Sequence, residues 1–92
     1  MAPSPTASIH QQCQSVRFEK DTRYYNVRLE QDLLDDWVIN IAYGRISSRL
    51  GQNRLIAFEG FNLAVTHFEK ICKVRIKRNY QIVEIFNKKI NQ

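Results

Sequence analysis

The side chains that could do chemistry in this 92-residue chain are arginines and aromatic rings rather than nucleophiles or metal ligands. His10 lies near the N-terminus, and His67 has no cysteine or carboxylate at metal-ligand spacing. The sequence contains no glycine-rich phosphate loop, no nucleophile elbow and no Cys-x-x-Cys motif. Asp32, Asp35 and Asp36 cluster where a turn is predicted, and aspartate is favoured in turns because it hydrogen-bonds nearby backbone groups. We therefore expect a non-enzymatic protein without a metal, a cofactor or a small-molecule substrate.

The segment Tyr43-Gly44-Arg45 brings an aromatic ring, a glycine and a guanidinium group together within three residues. Arginine forms bidentate hydrogen bonds to phosphate, and an aromatic face stacks on a nucleic-acid base with about 1–3 kcal/mol. Gly44 would allow a close backbone approach between the two. Two other interpretations are open. Strand alternation allows Tyr43 to be the last core residue, and Arg45 could pair with a carboxylate such as Glu30 or Asp32.

Positive charge is concentrated in the middle and second half of the chain. The net charge is +5, yet residues 17–36 contain four basic and six acidic residues, whereas residues 45–78 contain eight basic and two acidic ones. This distribution suits a polyanionic partner, although composition alone fits a solvated basic surface equally well. Beside Tyr43 and Gly44, the candidate nucleic-acid contacts are the cations Arg45, Arg49, Arg54, Lys73, Lys77 and Arg78. We expect Arg75 to be semi-buried and structural, and Tyr80 to belong to the core.

The length supports one small domain and no more. The sequence has no apolar run of eighteen residues, and Met1 to Ser8 do not form a secretory signal. Cys13 lies in a polar segment and Cys72 on the apolar side of a predicted helix, so we expect two free thiols in a reducing compartment. These features together predict a monomeric protein of a reducing cytoplasm.

Hydrophobic periodicity predicts four strands and one helix after a disordered leader at residues 1–16. Two-residue alternation predicts the strands, and apolar residues every three or four positions predict an amphipathic helix. The helix is expected to end before Asn79 in a left-handed conformation. The predicted elements are strands at Arg23–Glu30, Trp37–Tyr43, Gln52–Phe58 and Gln81–Phe86, with the helix at Glu59–Arg78. The expected fold of residues 17–92 is therefore a single α+β domain, a small antiparallel β-sheet in the order β-β-β-α-β with the helix packed across it.

Several short motifs, in order, resemble the WGR domain family over about residues 23–86. They are Tyr24-Tyr25-Asn26-Val27-Arg28-Leu29, Trp37-Val38, Tyr43-Gly44-Arg45-Ile46, Gly51-Gln52, Phe58, Ala64 with Phe68, and Arg75-Ile76-Lys77-Arg78-Asn79-Tyr80. The chain departs from the family pattern at three positions. Tyr43 replaces the tryptophan that names the family, Ser47 stands where glycine is frequent, and Asn79 replaces a glycine.

Some small bacterial proteins consist of little more than this domain, so the resemblance implies a bacterial cytoplasmic protein. The resemblance also implies a role in binding DNA breaks, as in poly(ADP-ribose) polymerases. It implies that Tyr43 packs on a terminal sugar and that Arg45 contacts the backbone beside a strand end. Contacts to ends and sugars carry no sequence specificity, so double-stranded DNA ends or nicks are the expected ligands. The alternative is a protein-docking module that regulates a DNA-acting or modifying enzyme, because the family's domain also docks neighbouring domains in those polymerases.

Overall fold

A computed structural model describes residues 12–89, which form five strands and one helix. In chain order the elements are β1 (Gln12–Lys20), β2 (Arg23–Gln31), β3 (Trp37–Arg45), β4 (Gly51–Phe58), α1 (Phe61–Lys77) and β5 (Gln81–Lys89). The four predicted strands and the helix are confirmed. The strands reach up to three residues further than predicted, and the helix is shorter than predicted at both ends.

The strands form one antiparallel sheet in the order β4-β3-β2-β1-β5. The polar turn between β2 and β3 is confirmed, because the Asp32 carboxylate accepts hydrogen bonds of 2.9 Å from the backbone N–H groups of Leu34 and Asp36. Asp35 takes the left-handed conformation there, with φ of 67°. This short turn fixes the β2–β3 register, so that Val27 lies opposite Ile41 and Leu29 opposite Ile39.

Strand β1 was missed by the sequence prediction, which gave the order β-β-β-α-β; the observed order is β-β-β-β-α-β. The predicted leader at residues 1–16 overlaps this strand from residue 12 onward, while residues 1–11 lie outside the described residues. Only Val16 and Phe18 supply apolar side chains to the core from β1, and both are buried. Two apolar positions are too short a pattern to identify a strand. The strand forms because it completes the pairing between β2 and β5.

One face of the sheet is covered by α1, and the core lies between the two layers. The fully buried side chains Phe18, Val27, Leu29 and Ile39 come from the sheet, and the buried Ala64 and Phe68 come from the helix. At the start of the helix, Phe61 packs edge-on against Trp37 with ring centroids 4.8 Å apart. These contacts follow from the predicted amphipathic period, which places Ala64 and Phe68 one turn apart on the same side.

The helix ends where the sequence predicted a left-handed residue, since Asn79 has φ of 69°. The Lys20 ammonium group donates a 2.9 Å hydrogen bond to the Arg78 carbonyl at this end. Cations are favoured at helix C-termini because unpaired carbonyl groups carry partial negative charge there. Among residues 12–89, no helix has the length and apolar character needed to cross a membrane.

Candidate functional site

A groove of about 550 Å³ opens at the end of the sheet where β2 begins and β3 ends. Its walls come from β2, from β3 and the loop to β4, and from the C-terminal part of α1 with the segment after it. The lining residues are Arg23, Tyr24, Tyr25, Tyr43, Gly44, Arg45, Ser48, Leu50, Gly51, Gln52, Arg75 and Tyr80. Three arginines and four tyrosines therefore surround the groove, and no carboxylate belongs to this lining.

Three tyrosine rings and one guanidinium group pack together at the groove. Tyr25 stacks on Tyr43 with centroids 5.7 Å apart and meets Tyr80 edge-on at 6.3 Å. The guanidinium carbon of Arg75 lies 4.2 Å from the Tyr25 centroid and 5.1 Å from the Tyr80 centroid. Such cation–π contacts hold the charge in place without neutralising it. The Arg75 Nε atom is also buried without a hydrogen-bond partner among residues 12–89.

Tyr43 belongs to both the core and the groove, which reconciles the two interpretations of its ring. It is half-buried, packs against the core residues and stacks on Tyr25. Its hydroxyl donates a 3.2 Å hydrogen bond to the Gln52 side-chain oxygen on the neighbouring strand. The ring is therefore held at the groove wall by contacts within the protein. Arg75 is half-buried and Tyr80 packs against the core, both as expected, yet both also line the groove.

The small size of Gly44 is needed for packing inside the protein. Gly44 pairs with Gly51 across β3 and β4, and a Cβ atom at residue 44 would lie 3.2 Å from the Gly51 Cα and 3.3 Å from the Tyr24 hydroxyl. At Gly51 a Cβ atom would lie only 2.6 Å from the same hydroxyl. Two glycines thus make room for Tyr24, whose ring forms part of the groove wall.

Arg45 does not form the structural ion pair that sequence reasoning left open. Glu30 binds Arg28 at 3.0 Å, and Asp32 is engaged by the backbone of its own turn. Arg45 is exposed and lies directly opposite Arg23 across the β2–β3 pair. Among residues 12–89 the ion pairs are Arg17–Glu19 and Arg28–Glu30, so the groove arginines have no carboxylate partner there.

The other predicted contacts are exposed cations outside the groove lining. Arg49 lies in the loop between two lining residues, and Arg54 pairs with Ile41 on the outer strand β4. Lys73 and Lys77 lie on the second half of α1, and Arg78 caps its end. The structure thus brings Tyr43, Gly44 and Arg45 together, and the remaining five cations stay predicted contacts around them.

Sequence reasoning missed Arg23 and Tyr25 as groove residues and treated Arg75 and Tyr80 as structural only. A usable signal existed for the first two, because the turn between β2 and β3 sets the register that pairs Arg23 with Arg45 and Tyr25 with Tyr43. No comparable local signal existed for Arg75 and Tyr80, since their contacts with Tyr25 cross about 50 residues of sequence.

Reactive and metal-binding groups are sparse around the groove. Among residues 12–89, no three His, Cys, Asp or Glu side chains cluster closely enough to hold a metal ion. Cys13 and Cys72 are both free thiols. Burial, with a smaller contribution from Glu69, raises the pKa of the Cys72 thiol to about 11, which keeps it in the unreactive protonated form at neutral pH. The lining described above can bind an anion and stack on planar or sugar groups.

Comparison with known proteins places the chain in one family. A family model described as WGR domain matches residues 9–87, which include β1 and the first seven of the nine residues of β5. Neither the curated proteins nor the solved structures give a match. Because the family match extends over most of the 92 residues, the chain belongs to the WGR domain family.

Proposed function

We propose that this protein binds double-stranded DNA at ends or nicks, through backbone and sugar contacts without sequence specificity. The observation that carries the proposal is the groove, whose lining includes three arginines and four tyrosines and no carboxylate. The WGR domain is a binding domain rather than a catalytic one, and it is known for nucleic-acid binding in poly(ADP-ribose) polymerases. The groove supplies the chemistry that such binding requires.

The groove chemistry favours a strand end over an intact duplex. Arginine forks match phosphate oxygens in bidentate geometry, while tyrosine rings offer faces and edges to a sugar or an unstacked base. An intact duplex hides its base faces and presents mainly phosphates, so it would engage only the arginines. A discontinuity exposes a terminal sugar and base that can also reach the rings. We therefore expect tighter binding to nicked or ended DNA than to continuous duplex.

The exposed cations around the groove would add contacts to neighbouring phosphates. Arg49 lies in the loop between β3 and β4, Arg54 lies on β4, and Lys73, Lys77 and Arg78 lie on the second half of α1 and at its end, all exposed. Contacts of this kind position a protein on the backbone and carry no sequence information. Their contribution falls with salt, because binding releases counterions from the DNA.

Salt-dependent binding to nicked and continuous duplexes tests the proposal. If about four phosphates are contacted, the slope of log affinity against log salt is expected near −3.6, at roughly 0.9 per contact. Arg45→Gln is expected to weaken binding to the nicked duplex by about tenfold, the scale of one charged hydrogen bond. Arg28→Gln is the matched control, because Arg28 lies on the opposite face of the sheet and binds Glu30. A salt-independent affinity, or equal losses in both variants, would reject DNA binding at the groove.

Protein docking is the second candidate function, and the outer strand β5 supports it. Among the described residues β5 pairs only with β1, and Ile82, Val83, Ile85 and Phe86 are each about half exposed. An unpaired strand edge can accept an extended segment of another protein as an additional strand. Val83→Lys would then weaken capture of a protein partner and leave DNA affinity unchanged. Loss of DNA binding in Arg45→Gln would instead favour the nucleic-acid function.

A further inference from the structure

Two arginines of the groove face each other with like charge. Arg23 begins β2, Arg45 ends β3, and the two are direct partners in the antiparallel register. Their side chains lie on the same face as the stacked pair Tyr25 and Tyr43, which is the next same-face pair along these strands. Directly opposite residues have Cβ atoms about 4.5–5.5 Å apart, and like charges in such positions are destabilising.

The backbone holds this pair together rather than letting the strand ends separate. The Ile46 N–H donates a 2.7 Å hydrogen bond to the Thr22 carbonyl, one residue beyond the arginine pair on both strands. The pairing of β2 and β3 therefore continues past the two charges. A sheet under repulsion at its end would relax most easily by fraying there, and this hydrogen bond opposes that relaxation.

Among the described residues, no carboxylate forms an ion pair with either arginine. Glu19 and Glu30 are bound by Arg17 and Arg28. Asp21, the nearest acidic residue to Arg23 in sequence, lines a different pocket together with Glu19 and Lys20. Arg75 adds a third positive charge to the same groove, fixed against the tyrosine rings. The site thus has the positive charge of an anion-binding site, and the backbone that carries the two arginines is held in place by the hydrogen bond between Ile46 and Thr22.

We propose that Arg23 and Arg45 bind one phosphate group together, as a two-arginine clamp across the β2–β3 pair. This deepens the proposed function and rests on it, because the phosphate is taken to be one of bound nucleic acid. A tetrahedral phosphate presents several oxygens in different directions, so it can accept hydrogen bonds from two guanidinium forks that approach from opposite sides. Binding also removes the repulsion between the two arginines. The phosphate is either a terminal monoester at the strand end or a phosphodiester beside it.

The salt dependence of binding distinguishes one shared phosphate from two separate ones. The slope counts neutralised phosphates at roughly 0.9 each. If the phosphate is shared, Arg23→Gln and Arg45→Gln each leave it contacted, so each slope changes by clearly less than 0.9, while the double variant loses about 0.9. If each arginine holds its own phosphate, each single variant loses about 0.9 and the double variant about 1.8. The second result would overturn the clamp while leaving DNA binding intact.

A nicked duplex with a 5′-phosphate, compared with the same duplex bearing a 5′-hydroxyl, identifies the source of the phosphate. For a terminal monoester, the slope difference between the double variant and the wild type disappears with the 5′-hydroxyl duplex. For a phosphodiester the difference is kept. Arg28→Gln, on the other face of the sheet, is expected to show the wild-type slope with both duplexes. The clamp is supported whether the slope difference disappears or is kept with the 5′-hydroxyl duplex. A double variant with the wild-type slope on both duplexes overturns it.

Inorganic pyrophosphate tests the clamp independently of nucleic acid. Pyrophosphate is expected to shift the backbone amide resonances of Arg23, Arg45 and Ile46 in the wild-type full chain. In the Arg23→Gln variant these shifts are expected to disappear. If DNA fails to bind but pyrophosphate gives these shifts, the proposed function is wrong and the anion site stands. If DNA binds and pyrophosphate leaves these amides unchanged, the clamp is wrong. Shifts caused by an oligoglutamate peptide and not by pyrophosphate would also reject it, in favour of a carboxylate-bearing protein partner.

Discussion

The Tyr24 side chain occupies the space that a side chain at Gly44 or Gly51 would need. Its hydroxyl lies against both Gly44 and Gly51, and the guanidinium carbon of Arg17 lies 4.8 Å from its ring centroid. The glycine of the Tyr43-Gly44-Arg45 segment is therefore explained by packing of the sheet, without reference to a ligand. A small residue in a binding motif can be required by the wall of the site rather than by what the site binds.

A methyl group at residue 51 tests this packing. Gly51→Ala is expected to lower the free energy of unfolding by about 1–3 kcal/mol, because its Cβ would lie 2.6 Å from the Tyr24 hydroxyl. Tyr24→Phe removes that oxygen, so Gly51→Ala should cost much less in the Tyr24→Phe background. Some loss is expected to persist, since the Cβ would also lie 3.2 Å from the Tyr43 carbonyl oxygen. Urea denaturation of the four proteins measures the coupling, and additive effects would contradict it.

The buried thiol of Cys72 makes stability dependent on pH in the alkaline range. Its pKa is about 11 in the folded protein against an ordinary value of 9.0. The folded state holds the neutral thiol, so this contribution to stability is fully present below about pH 9 and is lost as the pH rises towards 11. The urea midpoint of the wild type should fall more steeply over this range than that of Cys72→Ala. Parallel pH profiles would show that Cys72 does not contribute.

At the scale of elements, α1 connects the core to the groove. Its Ala64 and Phe68 are buried against the sheet, and Arg75, two turns beyond Phe68, reaches Tyr25 and Tyr80. The helix face that covers the core with Ala64 and Phe68 therefore also places the Arg75 cation in the groove. The segment after the helix then returns Tyr80 to the groove through the left-handed turn at Asn79.

Truncation of Phe68 is expected to remove most of the stability of the domain. The side chain is 4% exposed, and Phe→Ala substitutions in a core cost about 3–5 kcal/mol. A core of this size rarely supplies more than about that amount. Phe68→Ala should therefore lose its cooperative thermal transition. Val74→Ala is the control on the same helix, because Val74 is 41% exposed. It is expected to change stability by less than about 0.5 kcal/mol, and similar losses in both variants would contradict this assignment of the core.

At the scale of the whole molecule, the two ends of the β2–β3 pair carry opposite charge. The turn between β2 and β3 contains Asp32, Asp35 and Asp36, whereas Arg23 and Arg45 lie at the other end of the same two strands. The first and last residues of a nine-residue strand are eight steps apart, so the two ends are separated by about 26 Å at roughly 3.3 Å per step. This charge polarity along β2 and β3 would help to orient an approaching polyanion.

The range of this polarity depends on salt, and the acidic turn makes it testable. The Debye length is about 30 Å at 10 mM ionic strength and about 8 Å at 150 mM. The double variant Asp35→Asn/Asp36→Asn should therefore bind DNA more tightly than the wild type at 10 mM salt and equally well at 150 mM. Asparagine tolerates the left-handed conformation of residue 35, so the turn is kept. An affinity gain of equal size at both salt concentrations would mean that the turn contacts DNA directly.

Much of the fold was predictable from local patterns in the sequence. Alternation of Tyr25, Val27 and Leu29 identified β2, the three- to four-residue period identified α1, and Asn79 marked where the helix ends. These predictions worked because alternation and helical period record which side of one element is apolar, and each is encoded by neighbours in sequence. The segment Tyr43-Gly44-Arg45 and the basic half of the chain were recognisable for the same reason, since they are contiguous.

Only the tertiary structure decided how these elements meet. It inserted β1 between β2 and β5, although β1 offers just Val16 and Phe18 to the core. It also gathered Arg23, Arg75 and Tyr80 beside the predicted segment. Neither result is encoded locally, because pairing between distant segments is selected by the burial of the whole apolar surface and by the satisfaction of strand-edge hydrogen bonds. The sequence by itself therefore determined most of the elements and the family motif. The opposed arginines and the cation–tyrosine cluster exist only once the strands have paired and the helix has packed on the sheet.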